Sequence, residues 1–198
     1  MTAWTGSVAL LAFVMASTPG PNNVLFAAAG ARQGYVRTVP MLSGMILGFV
    51  VLIGACVAGV GGLVAGQPRT QAVLTVLASV YMAYLAVALW RASPPEDARE
   101  QRGRLLWWWQ MALFQMANPK TWLATLAFVS GKLGPHSPGD RWLDVVGAVV
   151  FLAVVWGSAS LWVLFGAALS TGLGPTQWHW TMKLMAALAA LTIVTFWW

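Results

Sequence analysis

Charge is scarce in this sequence. Charged residues make up 8% of the 198 and hydrophobic residues 59%, whereas a soluble domain carries roughly 25% charged residues. A water-exposed globular surface is therefore excluded. The five acids, Glu96, Asp97, Glu100, Asp140 and Asp144, fall between apolar runs or at the end of one, so no apolar interior holds a carboxylate. Cys56 is the one cysteine, which excludes an intrachain disulfide and a cysteine-cluster metal site and leaves buried packing as its role. His136 and His179, the two histidines, lie in a loop and near a span end. No metal site and no cofactor are expected. Ser17, Ser158 and Ser160 have no intramembrane His or Asp partner, and neither an HExxH motif nor a phosphate-cradling glycine loop occurs, so an enzyme is not expected. Basic residues are missing ahead of the first apolar run; without the positive n-region of a cleavable signal peptide, that run is read as a retained helix.

What is abundant is apolar sequence in lengths of about 20 residues, enough to cross a hydrocarbon core of about 30 Å. Runs cover residues 4–30, 39–64, 70–90, 105–129, 145–169 and 178–198, and the one strongly hydrophilic stretch is 93–104. The expectation is an all-α integral membrane protein of six spans in a single domain. Its first three-helix unit is 1–92, its linker 93–104 and its second unit 105–198. A net charge of +6 would suit nucleic acid only if the bases shared a solvated face; Arg32, Arg37, Arg91, Arg99, Arg102 and Arg104 instead punctuate the runs, and no nucleic-acid partner is expected. Those six arginines fall in the first and third connections, against Arg69, Lys132 and Arg141 in the second and fourth. Cytoplasmic loops retain the excess of basic residues, which puts both termini outside. Trp4, Trp90, Trp107, Trp108, Trp142, Trp178, Trp197 and Trp198 lie at span ends, where indole prefers the interface. An aromatic cage for a cationic ligand is the sharper use of such rings.

Two runs are interrupted. Thr18-Pro19-Gly20-Pro21-Asn22-Asn23 breaks the first and Asn118-Pro119-Lys120 breaks the fourth. Proline removes a backbone donor and clashes with the preceding turn, and lipid offers nothing to the groups it frees. Each half of three spans thus begins with its broken helix. An odd number of spans per half turns the second half upside down, giving two inverted repeats whose breaks meet near the midplane. Asn118-Pro119 reads as an N-cap with proline at the first helical position, and Gly20-Pro21 can serve the same way. A half-helix N-terminus favours an anion such as a carboxylate. Lys120, buried in an apolar run, adds a full positive charge that must be paired or hydrated.

Thr18-Pro19-Gly20-Pro21-Asn22 and Asn118-Pro119-Lys120-Thr121-Trp122 resemble the motifs of the LysE/RhtB amino-acid exporter family, and the resemblance extends over nearly the whole chain. It implies a bacterial inner-membrane secondary transporter that exports amino acids or close derivatives by proton antiport. By position it carries function onto Pro19, Pro21, Asn22, Asn118, Pro119 and Lys120. Members often hold an acidic residue within the fifth span; here 154–162 offers only Gly157, Ser158 and Ser160, which leaves the coupling group unassigned.

The missing carboxylate also argues against a cationic substrate. A neutral amino acid is expected, its carboxylate on the half-helix ends and Lys120, its ammonium on freed carbonyls or on Ser17, Thr18, Gln115 or Ser158. The rival is a cation or metal exporter on the same architecture, and behind it a non-transporting membrane protein. Gly44-Met45-Ile46-Leu47-Gly48 and Gly62-Leu63-Val64-Ala65-Gly66 let helices approach closely, either within the bundle or across a homodimer interface.

Overall fold

The computed structural model describes residues 2–17, 20–60, 66–91, 106–132, 141–171 and 174–197. Among them the regular structure is all helix, in the order α1 Thr2–Ser17, α2 Pro21–Val57, α3 Pro68–Trp90, α4 Trp108–Ala117, α5 Pro119–Lys132, α6 Arg141–Thr171 and α7 Pro175–Trp197. Four of these open on proline. Its fixed φ suits the first helical position, where its missing N–H would have had no intrahelical partner. α2 and the 142–169 part of α6 are long and apolar enough to cross a membrane.

Both expected interruptions are present. The first apolar run divides into α1 and the start of α2, and the fourth into α4 and α5. The expected basic loop over 32–37 is not a loop. Helix runs through Arg32 and Arg37 and is broken only at Gly34, with φ 74° and ψ 175°, a left-handed region that glycine enters without steric cost. The change of direction between the two parts of α2 is therefore made within a single residue. Side chains stitch this turn: the Thr38 hydroxyl donates to the Gly34 carbonyl at 2.8 Å, and the Gln33 amide donates to Thr38 Oγ1 at 3.2 Å. α2, which carries the second run, ends at Val57, and residues 61–64 of that run lie outside the described residues.

α2 packs most extensively on α6, α3 pairs with α7, α1 lies on α6, and α4 lies on the later part of α2. Glycines set the closest crossings. A Cβ on Gly30 would collide with the Val163 carbonyl and one on Gly166 with the Ala27 carbonyl, so α2 and α6 meet backbone to backbone. Gly44 likewise meets the Trp108 carbonyl and Gly48 the Gln115 side chain. The Gly44–Gly48 pattern is thus used inside the bundle; most of Gly62–Gly66 lies outside the described residues. Phe151 of α6 stacks on Phe128 of α5 at 4.4 Å and meets Phe49 of α2 edge-on at 5.7 Å. Cys56 is buried, as expected.

Polarity is inverted relative to a soluble protein. Asn23, Gln115, Asn118, Thr121, Thr125 and Ser158 are buried, while Val73, Val80, Leu161, Leu184 and Leu191 lie exposed on the outward faces of α3, α6 and α7. Contiguous apolar exposure on this scale requires an apolar neighbour, and lipid supplies it.

Gly30→Ala is expected to destabilise the protein by about 1–3 kcal/mol, the usual cost of overpacking a closed site. Gly54→Ala, where a methyl meets nothing within 4 Å, is expected to be neutral. Thermal unfolding of the two variants in detergent micelles checks the contrast.

Candidate functional site

The site is built where the two interruptions meet. Gly20, in an extended conformation, opens α2, and its carbonyl accepts the N–H groups of Asn23 at 3.0 Å and Val24 at 3.2 Å. Asn118 opens α5 in the same way, accepting Thr121 N–H at 3.1 Å and Trp122 N–H at 3.4 Å. Its side chain also takes the Lys120 N–H on Oδ1 at 3.0 Å, the N-cap bond that satisfies an otherwise orphaned donor. Gly20-Pro21-Asn22-Asn23 and Asn118-Pro119-Lys120-Thr121 are therefore equivalent turns, a cap followed by proline.

The two turns are tied to each other by an amide pair. Asn22 Nδ2 donates to Gln115 Oε1 at 3.1 Å, and Gln115 Nε2 donates back to Asn22 Oδ1 at 3.4 Å. Gln115 is fully buried, and its Oε1 also accepts the Thr121 hydroxyl at 3.0 Å. One glutamine on the last turn of α4 thus holds the first turn of α2 and the first turn of α5. Asn23 faces the other way, donating from Nδ2 to the Ala16 carbonyl at 3.0 Å and so repairing the end of α1. Trp122 Nε1 does the same for α4, donating to the Met116 carbonyl at 2.8 Å.

A pocket opens beside this junction. Gly20, Pro21, Asn22, Asn23, Asn118, Lys120 and Thr121 form its polar wall, and Met15, Met45, Phe49, Phe151 and Val155 its apolar wall. Lys120 carries the one formal charge among the residues lining it. Its side chain lies across Gly20, where an added methyl would sit 2.9 Å from Nζ, so the bare glycine leaves room for the ammonium. Because Asn118 already occupies the Lys120 and Thr121 amides, the anion-binding capacity of α5 rests more on this ammonium than on its backbone end.

The structure thus brings together Gly20, Pro21, Asn22, Asn23, Asn118 and Lys120 at the pocket wall, with Pro119 fixing the turn between the last two. Thr18 and Pro19 lie outside the described residues. Gln115 is close but faces its partners rather than the space, and Ser158 pairs with Ser17, Oγ to Oγ at 3.3 Å, joining α6 to the end of α1. Sequence reasoning missed the role of Thr121, although it stands inside the second motif, and missed the apolar wall, whose members are spread over three helices. Among the described residues no group of three His, Cys, Asp or Glu is placed to hold a metal ion.

The LysE type translocator model matches residues 13–197. The chain belongs to the LysE type translocator family. It is 28% identical over 155 residues to the cysteine/O-acetylserine efflux protein of Salmonella typhimurium (strain LT2), with 77% of each chain covered. It is 29% identical over 156 residues to the protein of the same name from Escherichia coli (strain K12), again with 77% of each covered. No solved structure matches. Membership of this translocator family makes the outward apolar faces a lipid contact.

Asn22→Ala and Gln115→Ala are each expected to destabilise this translocator by about 1–3 kcal/mol, because each leaves a buried polar partner unsatisfied. The double variant is expected to fall short of the sum by about 0.5–3 kcal/mol, as for residues in one network. A thermal-unfolding cycle in micelles measures the difference.

Proposed function

We propose that this translocator exports a small neutral amino acid, or a close derivative, across the bacterial inner membrane by proton antiport. The observation that carries the reading is Lys120, a cation at a pocket wall that has no acidic member. Such a wall suits the substrate carboxylate and disfavours a cationic side chain or a bare metal ion. Asn118, Asn22 and the carbonyls at the two breaks are the acceptors for the substrate ammonium, and Met45, Phe49, Phe151 and Val155 surround a small uncharged side chain. The name of these relatives, cysteine/O-acetylserine efflux protein, agrees with a substrate of this size and charge.

In the same proposal the chain forms six spans as two inverted three-helix repeats, with the first and fourth helices broken. Support comes from the matching turns at Gly20-Pro21 and Asn118-Pro119. It comes also from matched packing between the halves: α1 of the first on α6 of the second corresponds to α4 of the second on the later part of α2 of the first. Lys120 is the titratable group at the pocket and the first candidate for proton coupling. Both termini are assigned outside, on the bias of basic residues.

Proteoliposomes loaded with labelled cysteine, O-acetylserine, other neutral amino acids and lysine, with and without a pH gradient, test the function. Efflux of small neutral substrates that depends on the gradient is expected, with none for lysine. Lys120→Ala should lower it about tenfold or more, the usual scale for a hydrogen bond to a charged group. Absence of efflux for every substrate, or normal efflux by Lys120→Ala, would sink the reading. For the topology, a reporter fused after Trp198 is expected to be active only in its periplasmic form.

A further inference from the structure

The last span changes character part-way along α7. Its first nine residues include His179, Thr181 and Lys183, whereas 184–197 are apolar apart from two threonines. Lys183 therefore stands where the polar start of α7 gives way to its apolar part, the position at which a long basic side chain reaches the headgroup edge of the hydrocarbon.

Its surroundings are unusual for a solvated lysine. Nζ lies 5.2 Å from the Trp90 ring, on the last residue of α3, and 5.3 Å from the Trp180 ring, one turn earlier on α7. The cation framed by this tryptophan pair is thus the protein's own. Two indole faces attract an ammonium but offer no oxygen to its three N–H donors. Neither α3 nor α7 contains an Asp or Glu, and Arg91 directly follows Trp90, so the described residues of these two helix ends carry only positive charge. Trp90 is 56% and Trp180 68% exposed, and Val87 and Leu184 beside them face outward too. Among the described residues no acidic side chain meets this ammonium, and its open side faces the lipid.

We propose that Lys183, framed by Trp90 and Trp180, binds the phosphate of an anionic diacyl phospholipid whose acyl chains lie along the outer face of the α3–α7 pair. Arg91 adds to the preference for a net negative headgroup over a zwitterionic one. The indoles hold the ammonium stem at headgroup depth, and the apolar residues below them receive the chains. This site is separate from the transport pocket and does not rest on the substrate assigned to it.

Native mass spectrometry of the purified protein in neutral detergent, titrated with phosphatidylglycerol or phosphatidylcholine of identical chains, tests the proposal. Phosphatidylglycerol is expected to bind in preference. Lys183→Gln should weaken it about fivefold, the contribution of one basic side chain at an anionic surface, and should reduce the preference to what Arg91 alone supplies. Trp180→Leu should weaken it as well, while Lys183→Arg and Arg69→Gln, the latter at the opposite end of α3, should retain it. If Lys183→Gln aggregates, the contrast between Trp180→Leu and Lys183→Arg decides. Equal binding of the two lipids, unchanged binding by Lys183→Gln or by Trp180→Leu, or displacement by glycerol phosphate lacking acyl chains would each overturn it.

Discussion

A helix interrupted inside a membrane must find partners for its freed amides and carbonyls within the protein, because hydrocarbon supplies none. This molecule meets that demand with a few side chains. Asn118 takes the amides at the start of α5, Asn23 donates to the end of α1, Trp122 to the end of α4, and Gln115 binds across from one break to the other. Everything else at the centre follows from these assignments. The two broken ends can lie side by side only because their polar groups are occupied, and the pocket beside them is polar on one wall because that is where the repairs were made.

The same economy gives Lys120 its prominence. With the backbone at the start of α5 capped by Asn118, the ammonium becomes the main positive feature of the pocket, and Gly20 leaves it the room. A translocator of the LysE type with this arrangement presents one cation, several neutral donors and acceptors, and a wall of methionine, phenylalanine and valine. An amino acid with an uncharged side chain matches all three.

Much of this was legible in the sequence. Pro21 and Pro119 interrupt otherwise uniform apolar runs, and a proline preceded by a capping residue has few structural meanings, so the breaks and their pairing could be read directly. Asn22, Asn118 and Lys120 came with them. The reach of Gln115 was not legible as a clasp, because a glutamine in an apolar run has many partners within reach and only the packing of α4 against α2 selects Asn22. The turn at Gly34 was hidden by its own neighbours: Arg32, Gln33 and Arg37 have the composition of a loop, and nothing short of a backbone angle distinguishes a loop of six residues from a turn of one. The apolar wall of the pocket was illegible for a different reason. Met15, Met45, Phe49, Phe151 and Val155 look like any other residues of their spans until the helices are assembled.

Gly34 carries a mechanical consequence. A flexible connection between two helices absorbs displacement, so that one can shift while the other stays at rest. Here the half-helix that begins at the pocket and the helix that follows it share a joint of one residue, bridged by Gln33 on its near side and Thr38 on its far side. The two segments form a bent lever without slack. The arm that starts at Pro21 and Asn22 thus continues without a flexible segment into the face of α2 that rests on α4 through Gly44 and Gly48, and so reaches the helix that holds Gln115.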